Sequence, residues 1–146
     1  TTRRHLLFKE IFKMKKTLTE LHLMMERADL LYVASELVKN YNLPKTKVKF
    51  GTFSKDKGGY NWDDDVINLQ KSFSNVDDFI ITVLHEIHHA IQVDKYGRKK
   101  FLKKYAQAGN MAALDGKDRY LANKWEKKAE NWAQQEYKRF WKNKEQ

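Results

Sequence analysis

Cysteine is absent from this chain of 146 residues. Its absence removes disulfides as a source of stability and thiolates as metal ligands, and it is compatible with the cytosol. Proline occurs once, at Pro44, so a single point carries the strongest helix stop. No segment reaches the run of apolar residues that a membrane span requires, and there is no internal repeat or low-complexity linker. The first thirty residues mix Arg3, Arg4, Lys9, Glu10, Lys13, Lys15 and Lys16 with short apolar runs and lack a signal-peptide pattern, while the opening Thr-Thr reads as a trimmed N-terminus. Acidic residues are outnumbered, 19 Asp and Glu against 29 Lys and Arg, for a net charge of +10. That imbalance biases the protein toward anionic partners, whether nucleic acid, phosphorylated or acidic protein, or an anionic assembly surface. The densest basic run is Lys95-Tyr96-Gly97-Arg98-Lys99-Lys100, continuing to Lys103 and Lys104, and no nucleic-acid-binding motif accompanies it.

Histidine is scarce as well, with five in the chain, yet three of the five lie within His85-Glu86-Ile87-His88-His89. This is the HExxH pattern. On a helix its first and last histidines sit one turn apart, so both imidazoles can grip one zinc ion while Glu86 stands beside it as a general base. The surrounding residues ask for that helix. With His85 at zero on a wheel of 100° per residue, His89 falls at about 40° and Glu86 at about 100°. Phe79, Ile80, Val83, Leu84, Ile87, Ala90 and Ile91 fill an arc from about 120° to 260°. One face therefore packs into the protein and another presents ligands. Ser74 with Asp77 approximates a capping box, Asp77 and Asp78 favour the positive end of the helix dipole, and Gly97 marks a stop. His88, at about 300°, lies off the ligand seam and is expected behind the ligands or facing solvent.

A catalytic zinc site commonly takes three protein ligands and leaves a fourth position for water. No cysteine exists, no histidine follows His89, and His5 and His22 lie far upstream, so a carboxylate is left. The stretch from about Asp118 to Lys142 reads as one long helix. With Glu126 at zero, Leu121, Trp125, Ala129, Trp132, Ala133, Tyr137 and Phe140 share its sector, from about 220° through zero to 20°. Glu130 lies at about 40° and Glu136 at about 280° on the same wheel. Glu126 thus points inward among apolar neighbours, where an unpaired carboxylate is costly. Glu136 falls near the same sector, which leaves more than one inward acid.

The stretch Glu126-Lys127-Lys128-Ala129-Glu130 resembles the second-helix motif of the glutamate-zincin metallopeptidases. There a ligand Glu is followed four residues later by an acid that buttresses a ligand histidine. The resemblance spans roughly residues 46 to 140 and is to minimal zincin domains of the ImmA/IrrE-like and SprT-like kind. Small metallopeptidase-like proteins of tailed bacteriophages are similar too; without a visible signal the expected location is cytoplasmic, or virion-associated if the phage resemblance holds. Carried over residue by residue, the resemblance implies zinc ligands His85, His89 and Glu126, with Glu86 as base and Glu130 behind the ligands or as the reserve third ligand. This chain departs from the pattern twice. It has the longer Glu130 where the family more usually has Asp or Asn, and it lacks the third histidine typical of SprT-like members.

The remaining chain reads as an α+β protein, a minimal zincin-like domain of residues 1–146 with a helical N-terminal portion (1–43) and a metal-site core (46–140). Helical spacing from about Leu6 to Asn40 is densest at Leu30, Leu31, Val33, Ala34, Leu37 and Val38, and Pro44 ends it. Thr46 to Phe53 and Val66 to Gln70 alternate like strands of a small antiparallel or mixed sheet, with Gly58 and Gly59 as a turn between them. Residues 95 to 116 read as a short helix and a loop carrying Gly109 and Gly116. By the resemblance, the Val66 to Gln70 strand runs along the cleft edge and could hold an extended peptide. Tyr60, Trp62, Tyr96, Tyr105 and Tyr120 are possible hydrogen-bond donors or stacking residues, and Asp63-Asp64-Asp65 reads as a solvated turn. The leading expectation is a zinc metallopeptidase acting on protein or peptide. Two readings stay open beside it: an assembly or nucleic-acid-associated protein with a structural zinc, and a protease acting on DNA-bound proteins.

Overall fold

A computed structural model describes residues 27–43, 45–51, 57–71, 73 and 76–141. The expected N-terminal helix is seen from its dense part onward, as α1 (Arg27–Asn40); Leu6 to Glu26, His5, His22, Pro44 and Ser74 lie outside the described residues. Asn42 ends α1 in the left-handed conformation, φ 61°, and its backbone N–H donates to the Lys39 carbonyl. Asparagine takes this role because its short polar side chain tolerates that conformation better than other non-glycine residues.

Three strands follow: β1 (Lys47–Phe50), β2 (Gly58–Asn61) and β3 (Val66–Leu69). They form a mixed sheet in the order β1-β3-β2, with β1 parallel and β2 antiparallel to β3. In β1 the alternation holds, with Val48 buried and Lys47 and Lys49 exposed. The Gly58-Gly59 pair does not form the expected turn but opens β2. A Cβ at Gly58 would stand 2.9 Å from Thr82 Cγ2 and 3.4 Å from Glu86 Cγ, so glycine lets this strand lie directly on the helix that carries His85 and His89. Position is also the correction for β3. It pairs on both sides, so the free edge beside the cleft belongs to β2. Between β2 and β3 the acidic turn is held by Asn61, whose Oδ1 accepts from the N–H groups of Asp63 and Asp64, and by Asp65, which accepts from Thr46 Oγ1 and Tyr60 Oη.

Helix α2 (Val76–Tyr96) carries Asp77 and Asp78 in its first turn and stops at Gly97, φ 83°, whose N–H donates to the Val93 carbonyl at 2.7 Å. Its apolar arc is where the periodicity put it. Phe79, Ile80, Val83, Leu84 and Ile87 are 0–2% exposed and pack with Val33 and Leu37 of α1 and with Ile67 and Leu69 of β3. Each such side chain contributes about 1.5–3 kcal/mol of transfer free energy, which fixes the helix against the sheet and so aims the opposite arc.

The region expected as a short helix and a loop is instead the 17-residue α3 (Arg98–Leu114). Gly109 sits inside it, buried, where the backbone of Arg119 and the side chain of Asn123 approach; tertiary packing outweighs the propensity cost of about 1 kcal/mol for an interior glycine. The last helix also starts later than expected. Asp118 Oδ1 accepts from the N–H groups of Tyr120 and Leu121, closing a turn, and Asn123 is the cap of α4 (Lys124–Glu136), accepting from Trp125 N–H at 2.9 Å. Leu121 therefore lies outside the helix and is 72% exposed rather than packed. Phe140 is 56% exposed for a different reason: Tyr137–Trp141 form a π-helical turn, whose extra residue rotates the apolar sector away from the core. No helix among the described residues is long and apolar enough to cross a membrane.

Candidate metal centre

α2 and α4 cross so that Glu126, in the first turn of α4, stands over the histidine seam of α2. Its Oε1 lies 3.0 Å from His85 Nε2 and 3.0 Å from His89 Nε2. His85, His89 and Glu126 are the group of three among the described residues that could share a metal ion, each offering one atom within 4.8 Å of the others. Glu136, the other inward acid, is elsewhere: it accepts from Tyr41 Oη of the segment after α1.

The far ring nitrogens are held as firmly. His85 Nδ1 donates to Glu130 Oε1 at 2.8 Å, and His89 Nδ1 to Gln92 Oε1 at 2.9 Å. The Gln92 amide cannot be reversed, because its NH2 group donates to the Trp125 carbonyl at 3.2 Å, which only accepts. With both Nδ1 atoms committed as donors, a neutral imidazole directs an Nε2 lone pair at Glu126. Two lone pairs and a carboxylate oxygen then converge on one small, buried volume. Such an arrangement repels itself unless positive charge lies between the three atoms, whether protons on the rings or a cation. The donor set of two imidazole nitrogens and one carboxylate oxygen, each ring held from behind, suits a borderline divalent ion.

The titration shifts report the same demand for positive charge. Burial works against a charged His85, but the hydrogen bonds to Glu126 and Glu130 outweigh it and hold the ring up to about 10. His89 shifts upward in the same sense, burial again being outweighed by its bond to Glu126. Glu126 moves oppositely: burial would raise it, yet the two rings and Tyr105 keep its carboxyl well below the usual range. Glu130 is lowered by its bond to His85. His88 points off the seam, but instead of standing behind a ligand or facing solvent it is half-buried. It packs on Trp132 with ring centroids 4.9 Å apart, and burial together with the neighbouring His89 and His85 brings it down to about 4.

Glu86 is buried and projects beside the triad, where two adjoining hollows of about 340 and 180 Å³ meet. Gly58, Glu86 and Tyr120 line both. The larger extends to Lys57 and Asp78, which pair at 2.9 Å; the smaller extends along β2 to Tyr60, Trp62 and Tyr105. The five aromatic candidates separate here. Tyr60 donates to Asp65, Tyr96 packs against Trp125, and Trp62 packs against Phe101 and Tyr105. Tyr105 Oη donates to Glu126 Oε2 at 2.5 Å, so it holds the outer oxygen of the carboxylate. Tyr120, 52% exposed, walls both hollows.

Two residues of the centre escaped sequence reasoning in that role: Gln92 and Tyr105. Gln92 lies at about 340° on the α2 wheel, between the ligand seam and His88, and a polar residue in that position was the available signal. Nothing in spacing could single out Tyr105, which reaches Glu126 from another helix. No protein-family model matches this chain, nor does any curated protein or any solved structure.

Proposed function

We propose that the chain is a zinc-dependent metallopeptidase whose ligands are His85, His89 and Glu126. The observation that carries this reading is the approach of both Nε2 atoms to a single oxygen of Glu126, at 3.0 Å each, with the Glu86 carboxylate beside them at the junction of two hollows. Zinc held there would supply Lewis acidity toward a water and toward a scissile carbonyl. The residues of the chain divide the remaining work. Glu86 accepts the proton of the attacking water and returns it to the leaving amine. Glu130 and Gln92 keep His85 and His89 in the tautomer that leaves Nε2 free for the ion, and Tyr105 prevents Glu126 from rotating away. Tyr120 is the donor assigned to the charge that develops on the carbonyl oxygen.

The outer edge of β2 supplies the substrate track. Its backbone groups on that side have no partner strand among the described residues, and an extended peptide can add there with main-chain hydrogen bonds, its scissile bond brought over Glu86. The test is a pair of measurements on one variant. Glu86→Gln is expected to bind one zinc per chain like the parent while peptide-library cleavage disappears. Undiminished cleavage by that variant rules the mechanism out, and stoichiometric zinc in a parent that cleaves nothing makes the site structural.

A further inference from the structure

The lysines near the start of α4 are not dispersed. Tyr96 and Trp125 meet edge to face at 5.6 Å. Lys95 and Lys104 stand 5.3 and 5.2 Å from the Tyr96 ring centre, and Lys124 and Lys128 stand 5.0 and 4.7 Å from that of Trp125. Four ammonium groups thus surround one aromatic pair. None of the four pairs with a carboxylate among the described residues. Ring faces attract each cation, but they do nothing to offset the mutual repulsion of the four.

Lys104 and Lys124 also stand on the rim of a groove of about 510 Å³ between the second half of α3 and the start of α4. Its apolar lining is Ala108, Met111, Ala112, Leu114, Ala122 and the buried Trp125. Met111 is 68% and Leu114 85% exposed, whereas the other large apolar side chains of α3, Phe101 and Leu102, are buried or half-buried. Lys127 completes the basic rim, and the one acid of the groove, Asp115, already lies within 4.0 Å of Lys117. An apolar floor inside a positive rim is complementary to an apolar side chain flanked by carboxylates.

We propose that this groove docks an acidic segment of a partner protein, which seats aliphatic side chains on Met111 and Leu114 and sets its carboxylates against Lys104, Lys124 and Lys127. Charge argues against a second copy of the chain, since both copies carry +10. The floor argues against single-stranded nucleic acid. Bases bind by stacking on open aromatic faces, whereas Trp125 is 5% exposed and the exposed apolar side chains of the groove, Met111 and Leu114, are aliphatic. The groove contains none of the metal ligands, so the proposal stands apart from the peptidase reading.

Fluorescence anisotropy with the full chain tests it. The probe is a short labelled peptide of glutamates carrying two leucines at helical spacing. The comparators are the same peptide with serines for leucines and a single-stranded DNA of equal charge. The leucine peptide is expected to bind more tightly than both. Leu114→Ser with Met111→Ser should weaken it about tenfold, the scale of losing an apolar anchor, and Lys124→Glu with Lys127→Glu should weaken it at least as much. All four positions are exposed, so an unchanged thermal melt will accompany each variant. Equal binding of the serine peptide or the DNA, insensitivity to the Leu114 and Met111 changes, or no binding of the leucine peptide would each overturn the proposal.

Discussion

The apolar residues behind α2 are mainly aliphatic: Val33, Leu37, Ile67, Leu69, Val83, Leu84 and Ile87, all nearly devoid of exposure. Those beside the start of α4 are mainly aromatic, with Phe101 and Trp125 buried and Trp62, Tyr96 and Tyr105 packed around them. The first group places a helix, and with it two imidazoles that share its rigid geometry. The second places a carboxylate that comes from 37 residues away in sequence from the nearer histidine. Its rings meet edge to face, as in Trp62–Phe101, Trp62–Tyr105 and Phe101–Trp125, and their polar edges remain available. Tyr105 Oη reaches Glu126, and Trp125 Nε1 donates to the Lys104 carbonyl at 3.3 Å. Aliphatic packing locates an element, whereas aromatic packing with a hydrogen-bonding edge also orients a single charged group.

The sharpest break in this contrast comes from the group the aromatic cluster holds. Glu126→Ala leaves the two-histidine helix intact, and zinc affinity measured by competition with a chelator should fall by more than about 100-fold, beyond the loss typical of groups behind the ligands. Retained affinity would mean that a different acid completes the site. Next come matched cavities in the two clusters. Phe101→Ala and Leu37→Ala remove side chains that are both 0% exposed, costing about 3–5 and 2–5 kcal/mol of unfolding free energy respectively. Well below either melting temperature, zinc affinity should weaken in Phe101→Ala and hold in Leu37→Ala; an equal change in both would erase the distinction between locating and orienting.

Tyr105→Phe refines the same point without a cavity. It deletes only the hydroxyl that donates to Glu126, and zinc affinity is expected to drop about tenfold, the lower end of the effect of removing a group behind a ligand. The smallest effect belongs to the aliphatic side of the molecule. Tyr137, buried in that cluster, donates to Asp77 in the first turn of α2. Burial first, and the Asp77 carboxylate second, raise its ionisation above the ordinary value of 10.0. The folded state therefore keeps this proton where the unfolded chain gives it up, so stability should decline as pH rises above that value. Melting temperatures of Tyr137→Phe should decline less steeply over the same alkaline range, and identical slopes would remove this contact from the account.

Much of the centre could be read in advance, for a definite reason. The seam of His85 and His89 and the apolar arc opposite it follow from 100° per residue alone, and Glu126 pointed inward by the same rule. Glu130 is where the zincin resemblance implies a buttress, and its extra methylene still lets it reach His85 Nδ1 at 2.8 Å. Strand β2 was illegible because Gly58-Gly59 has the composition of a turn. It is a strand through its antiparallel pairing with β3, and its glycine lets it approach Thr82 and Glu86, a contact no local window contains. α3 was underestimated because Gly109 weakens the helical pattern, and the residues packed over it, Arg119 and Asn123, come from the following segment.

By itself the sequence determined which side chains share a face: the paired histidines, Glu86 between them, an acid aimed inward on a later helix, and a surplus of positive charge. These are properties of covalent order and helical pitch, which act within a few residues. Only the tertiary structure decided that the acid meets the pair at one oxygen, that Gln92 and Tyr105 hold the set, that β2 rather than β3 borders the cleft, and that four lysines gather around Tyr96 and Trp125. Those outcomes depend on how α2, α3 and α4 cross. The crossing is set by packing volumes summed over distant parts of the chain, which no local pattern encodes.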